Sequence, residues 1–314
     1  MTIATTDHAQ IATQPSWRPF RVTVSRVQQL SPSFVRITFT AGNLDEFGHD
    51  GPDQRVKLYL PRDGHELPEL SLDWWSQYRH ADPATRGFVR TYTIRAVRPQ
   101  HREVDIDFAL HGDGGPASAW ARRATVGDEV ALIGPNRLYG ADCRGHEWNP
   151  PVGADDVLIA GDETALPAIS GILASLRESP TCPARVRVML EVPEPGDMID
   201  LPAPEHAEVT WLPRRGSDGS AAANGSLLVE SVCASGFGRD RRAEAAPTST
   251  VDTVDIDLEI LWEIAAAASS SVYAWIAGEA GAVKAIRRHL VGECGIDKSA
   301  VTFMGYWRTG RAEV

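Results

Sequence analysis

Alternation of apolar and polar positions dominates the first 130 or so residues of the chain. Phe20 to Gln28 sets Val22 and Val24 on one side, and Ser33 to Thr40 does the same with Val35, Ile37 and Phe39. Gln54 to Leu60 sends Val56, Leu58 and Leu60 one way and Arg55, Lys57 and Tyr59 the other. A period of two belongs to strands, whose successive side chains leave opposite faces. Val89 to Val97, a further alternating strand ending at His111, and Glu129 to Ile133 complete the set. Short strands separated by Gly/Pro turns predict a small antiparallel barrel with Lys57 pointing out of its core. Residues 61–87 interrupt the pattern with Trp74, Trp75 and Tyr78. This insertion is expected to be a short helix stapled to the barrel by its tryptophans; an aromatic wall for a substrate is the other reading.

The texture changes after residue 150. Val157 to Ala160 is an unbroken apolar run, as in a parallel strand buried on both faces. A helix follows with Leu166, Ile169, Ile172, Leu173 and Leu176 on one face and Pro167 in its first turn, where proline is tolerated. Strands are expected at Arg185 to Glu191, Glu208 to Leu212 and Val272 to Ala277. Gly278, Glu279 and Ala280 then open a helix with Val283, Ile286 and Leu290 on its buried face. A last strand, Ala300 to Met304, runs into Gly305-Tyr306-Trp307-Arg308. Strands alternating with helices make a parallel sheet covered on both sides. The predicted organisation is a tail over 1–16, a β-barrel domain over 17–150 and an α/β nucleotide-binding domain over 151–314. The small, polar, aperiodic segments between 214 and 257 read as loops, partly disordered near 236–257.

Composition narrows the function. The 314 residues carry a formal net charge of -11, so the electrostatic footprint of a nucleic-acid binder is missing. The four cysteines lie far apart without a C-x-x-C, which argues against an iron–sulfur cluster, a zinc site or a disulfide framework. Cys143 and His146 have a ligand-like spacing, but two ligands are too few for a metal site. The first sixteen residues have neither the basic start nor the apolar run of a signal peptide, and no stretch reads as a membrane span. A cytoplasmic protein with an organic electron carrier is expected.

Residues 90–121 carry the candidate chemistry. Arg90 and Tyr92 share one face of a strand, and Gly112, Gly114, Gly115 and Pro116 lead into a helix. A glycine-rich helix start presents N–H groups to phosphate oxygens. Arg90 adds a planar cation suited to a diphosphate, and Tyr92 a ring able to lie on another ring. R-x-Y-T resembles the flavin motif of the ferredoxin-reductase superfamily. Together with HGDGGPASAWA, AGDETALPAI, WIAGEAGAVKAIRRHL and GYWRTG, RTYTIR makes the chain similar, from about Arg18 to Arg311, to the siderophore-interacting protein family, the flavin-dependent ferric-siderophore reductases.

That resemblance implies FAD as cofactor, NADPH or NADH as electron donor with ferredoxin as an alternative, and a ferric siderophore as substrate. In the family pattern Arg90 meets the diphosphate, Tyr92 packs on the isoalloxazine and the Thr93 hydroxyl approaches its reactive nitrogen. Ala109 and His111 line the ring through their backbone, and Gly115, Pro116, Ala117 and Ser118 hold the phosphates. His111 reads equally as a strand-end residue paired with a carbonyl, and Trp120 as core. The turn Asp162, Thr164 and Ala165, with Gly278, Glu279 and Trp307 at later strand ends, is the expected dinucleotide side. It lacks G-x-G-x-x-G, and Trp307 reads either as a cover for the flavin or as packing. Arg214 and Arg215 follow a strand and read either as a seat for a 2′-phosphate, which favours NADPH, or as a solvated doublet in a polar loop. Siderophores hold Fe(III) through hard anionic oxygens, so Lys57, Arg308 and Arg137 are the candidate substrate cations. The competing readings are a general flavin or ferredoxin-type reductase and a non-catalytic siderophore-binding protein.

Overall fold

Apolar alternation closes on itself in the first half of the chain. In the computed structural model, which describes residues 14–110, 115–238 and 261–310, six strands form a closed barrel in the order β1-β2-β5-β4-β3-β6. They are β1 (Trp17–Ser31), β2 (Phe34–Thr40), β3 (Arg55–Leu60), β4 (Phe88–Arg98), β5 (Glu103–Ala109) and β6 (Glu129–Pro135). The first strand outruns its predicted span because Trp17 to Thr23 pair with Pro135 to Glu129. Ladder hydrogen bonds extend a strand where side-chain alternation has already stopped. Phe20, Ile37, Val56, Leu58, Ile106 and Leu132 fill the interior, each at most 1% exposed.

The pairing of β3 with β4 sets which face each side chain of the R-x-Y-T strand takes. Arg90 lies opposite Leu58 and Tyr92 opposite Val56, whereas Lys57 lies opposite Thr91. Paired residues on antiparallel strands project to the same side, so Arg90 and Tyr92 stand on the side of the barrel interior. Lys57 points outward, as expected, but away from the face that carries the R-x-Y-T ring.

The insertion holds α1 (Trp74–His80). Its staple is Tyr78 with Leu67, buried over Tyr59, Val89 and Ile133 on the outer wall, with Trp74 partly buried beside them. Trp75 is 46% exposed and stacks on Tyr78 with ring centres 5.5 Å apart, so only one of the two tryptophans serves the staple. A second helix, α2 (Pro116–Arg123), plugs the barrel: Ala117, Trp120 and Ala121 join its core. Trp120 stacks on Phe39 at 6.3 Å and meets Phe108 at 5.8 Å.

The chain divides between His146 and Glu147 into two units, the short turn Ser31–Ser33 grouping with the second. That second unit is a six-stranded sheet of order β10-β12-β11-β7-β8-β9. Its strands are β7 (Asp156–Gly161), β8 (Arg185–Val192), β9 (Glu208–Pro213), β10 (Trp262–Glu263), β11 (Val272–Glu279) and β12 (Val301–Trp307). All neighbours run parallel except β10, a two-residue antiparallel edge on β12. This edge makes the sheet mixed rather than purely parallel. The helices are α3 (Leu166–Glu178), α4 (Ser226–Ala234) and α5 (Ala280–Arg287), the last continuing into a π-helical turn, Arg288–Glu293. Helix α4 lies inside the span read as loop: Leu228 and Val232 are buried in the sheet's core, which its polar flanks conceal in the sequence. The predicted tail through residue 13, His111 and the polar segment 239–257 lie outside the described residues.

Candidate functional site

In the first unit, the R-x-Y-T strand and the glycine-led helix meet through one ring. Tyr92 is half-buried against Phe108, with ring centres 4.5 Å apart, and Phe108 also packs on Trp120 of α2. The phosphate-type helix start and the flat ring are therefore anchored to a common aromatic. Gly115 is the N-cap, extended at φ −121°, with Pro116 at the first helical position and no side-chain cap bond. Among the described residues, a Cβ at Gly115 would meet nothing within 4 Å. The first-turn N–H groups of a helix have no intrahelical acceptor, and here they belong to Ala117 and Ser118. Both side chains are buried, which leaves backbone as the polar surface at this end.

Arg90 is half-buried, donates from Nη1 to Val89 O at 2.8 Å and makes no ion pair among the described residues. Thr93 is 5% exposed and pairs with Arg55, on the face opposite Tyr92. Ala109 ends β5 and is buried. The other arginine of the RTYTIR stretch, Arg95, joins a ladder on the outer wall that the sequence reading missed. Arg36 is bidentate to Asp107 at 2.6 and 2.8 Å, Arg95 lies 3.9 Å from Asp107, and Arg98 holds Asp105 twice at 2.7 Å. Burial raises the Asp105 carboxyl, but its bonds from Arg98 and Thr38 bring it below the usual range. Alternating Asp105 and Asp107 between Val104, Ile106 and Phe108 was the available signal.

Lys57 is half-buried and reaches Thr91 Oγ1 at 3.4 Å. Arg137 is exposed in the 3-10 turn Arg137–Tyr139 after β6. Arg308 belongs to the second unit, half-buried directly after β12.

In the second unit a buried carboxylate gathers the predicted residues. Asp162 follows β7 and accepts four hydrogen bonds. Oδ1 takes the Thr164 N–H at 2.9 Å and the Thr164 hydroxyl at 2.5 Å; Oδ2 takes the Glu279 N–H and the Trp307 indole N–H, each at 2.8 Å. Burial pushes its pKa up to about 6, and the adjacent Glu163 charge adds to this, against the Thr164 and Trp307 bonds. Gly278 adopts φ +146°, and a Cβ there would sit 2.6 Å from Asp162 Oδ2. Only glycine lets the strand end come this close. Glu279 caps α5 through Ala282 N at 3.0 Å and also accepts the Thr309 N–H at 3.2 Å. Asp162 thus ties the turn after β7 to the last residues of β11 and β12. Asp162, Thr164, Gly278, Glu279 and Trp307 do come together, with the carboxylate saturated internally. Ala165 is fully buried at the start of α3, where no ligand reaches its side chain.

Arg214 departs from its expected role. Its guanidinium is bidentate to Glu163 at 2.6 Å twice and reaches Glu191 Oε1 at 3.1 Å. Glu191, 0% exposed, also accepts the N–H groups of Gly225 and Leu228 at 2.7 and 2.9 Å. Burial alone would lower the Arg214 pKa; the two carboxylates raise it instead. Arg215 pairs with Glu194 at 2.8 Å. Arg214 is therefore part of a buried ion cluster, and the basis for favouring NADPH disappears. Among the described residues no group of three or more His, Cys, Asp or Glu side chains is arranged to hold a metal ion. No described helix is long and apolar enough to cross a membrane.

Comparison with known proteins agrees with these two halves. Residues 23–139 match the siderophore-interacting FAD-binding domain, and residues 154–310 match the siderophore-interacting protein model. An uncharacterized protein of Mycobacterium tuberculosis is 33% identical over 301 residues, covering 94% of this chain and 91% of its own length. Ferric vibriobactin reductase ViuB of Vibrio cholerae is 28% identical over 294 residues, covering 92% and 89%. The crystal structure of the siderophore-interacting protein SipS from Aeromonas hydrophila superposes with a TM-score of 0.65 at 30% identity, over 95% of this chain and 94% of that one. With a barrel that carries the R-x-Y-T strand and a sheet that carries the GDETA turn, this chain belongs to the siderophore-interacting protein family.

Proposed function

We propose that the chain is an NAD(P)H-dependent ferric-siderophore reductase that uses FAD and releases iron as Fe(II). The observation that carries this reading is the convergence of Tyr92 and the Gly115-capped helix on Phe108. The residues fit the cofactor: a helix start without a side-chain cap bond, an arginine without a carboxylate partner among the described residues, and a half-buried tyrosine ring lie within one unit. When bound, FAD accepts a hydride from a nicotinamide and delivers electrons singly, which matches a two-electron donor to one-electron iron.

Arg90 and the backbone N–H groups of Ala117 and Ser118 hold the diphosphate, as charge-assisted bonds at a helix start do. Tyr92 and the backbone around Ala109 and His111 orient the ring; Thr93 contributes its peptide edge to the same strand. Asp162 keeps Trp307, Glu279 and Thr164 in fixed positions at the carboxyl end of the sheet, where open α/β sheets bind nucleotides. The candidate cations for the anionic chelate are Lys57 and Arg137 in the first unit and Arg308 in the second, each taken by itself. No acid, base or nucleophile is required of the protein, because one electron added to Fe(III) gives Fe(II), whose lower charge weakens its bonds to hard oxygen ligands. Steady-state assays with a ferric siderophore, free flavin and a ferredoxin test the reading, with Fe(II) trapped by a coloured chelator. Fe(II) release from the siderophore that outpaces free-flavin reduction supports it. Reduction of free flavin or ferredoxin alone would favour a general reductase, and chelate binding without flavin a binding module.

A further inference from the structure

We infer that the donor seat of this chain discriminates against a 2′-phosphate and takes NADH in preference to NADPH. The inference rests on the nicotinamide-donor reading above. On an open parallel sheet, the adenosine ribose lies near the carboxyl ends of the first strands of the nucleotide-binding half. An acidic side chain there suits a free 2′-hydroxyl, and an available arginine suits a 2′-phosphate. In this sheet those strands are β7, β8 and β9, and their carboxyl ends carry Glu163, Glu191 and Arg214.

The three side chains form one buried cluster. Arg214 gives two bonds to Glu163 and one to Glu191, with side-chain exposures of 10%, 1% and 0%. Two carboxylates against one guanidinium leave a formal charge of −1. Drawing Arg214 out to a phosphate would take the guanidinium from two buried carboxylates, Glu163 and Glu191, which is strongly unfavourable. Leaving it in place sets a phosphate of nearly two negative charges beside a net-negative cluster. Arg215 is the remaining cation of the doublet, and Glu194, just past β8, already pairs with it at 2.8 Å. A ribose diol carries no charge and meets neither penalty.

The test uses the FAD-loaded protein. Calorimetric titration with 5′-AMP and with 2′,5′-ADP reads binding without turnover, and anaerobic flavin reduction by NADH and NADPH reads the donor itself. The expected result is at least a tenfold preference for 5′-AMP over 2′,5′-ADP and for NADH over NADPH. Glu163→Gln brings the cluster to charge zero and is expected to narrow the ratio at least threefold, while Arg215→Ala leaves it within twofold. Equal or tighter binding of the 2′-phosphorylated ligands by the wild-type protein overturns the inference, even if Glu163→Gln does not fold. An unchanged ratio in a folded Glu163→Gln protein also overturns it. If neither nucleotide reduces the flavin, yet dithionite-reduced protein still releases Fe(II) from a ferric siderophore, the nicotinamide part of the functional reading falls and takes this inference with it.

Discussion

A single carboxylate, Asp162, shows how residue chemistry sets the geometry of the nucleotide side. Its four donors come from the next turn, from Glu279 and from Trp307, the last two being 117 and 145 residues distant in sequence. Asparagine has one acceptor oxygen and would turn an N–H pair toward donors, so Asp162→Asn is expected to destabilise the protein at pH 7 by about 2–4 kcal/mol in urea unfolding. The pH dependence has a definite sign. The folded pKa of about 6 lies above the ordinary 3.8, so the stability Asp162 contributes is complete below pH 4 and is lost as pH rises through 6. The difference in unfolding free energy between wild type and Asp162→Asn should therefore fall as pH rises from 4 through 6. Arg90 is the opposite case, with only a carbonyl partner among the described residues. Arg90→Ala is expected to leave the melting temperature within about 2 °C while weakening FAD binding roughly 10–100-fold, the worth of a lost charge-assisted bond. Flavin retained per chain after gel filtration reads this directly.

At the level of elements, the barrel depends on its plug. Trp120 is 9% exposed and touches both Phe39 and Phe108. Trp120→Ala should cost about 3–5 kcal/mol in denaturant unfolding. It should also loosen FAD, because Phe108 is the support that α2 shares with Tyr92. The strands of both units were legible in the sequence because alternation and unbroken apolar runs are local signals. Helix α4 was not, since nine residues between polar flanks give too few turns to establish a period. Faces were harder than strands. Alternation placed Lys57 outside the barrel, but only the β3–β4 register reveals that Arg90 and Tyr92 point the other way. Gly115 and Pro116 were legible as a helix start, whereas the plug they begin depends on contacts across the barrel.

For the molecule as a whole, the motifs disclosed the chemistry and concealed the pairing. GDETA marks a strand-end turn, yet nothing near Asp162 announces its remote donors. Arg214 beside Arg215 reads as a cation doublet until Glu163, 51 residues away, is found holding the first of them. On a chain of net charge -11, attraction of an anionic chelate has to come from local cations. Lys57→Ala and Arg308→Ala should each raise the KM for a ferric siderophore several-fold while flavin content stays normal. Loss of flavin in either variant would assign that residue to the cofactor instead. The most direct test of the account is a single anaerobic turnover: FAD-loaded protein, reduced with dithionite and freed of excess, is mixed with a ferric siderophore and an Fe(II) trap. The account predicts return of the oxidised-flavin absorbance together with close to two Fe(II) trapped per FAD. Flavin that stays reduced, or Fe(II) no faster than with free reduced FAD, would contradict it.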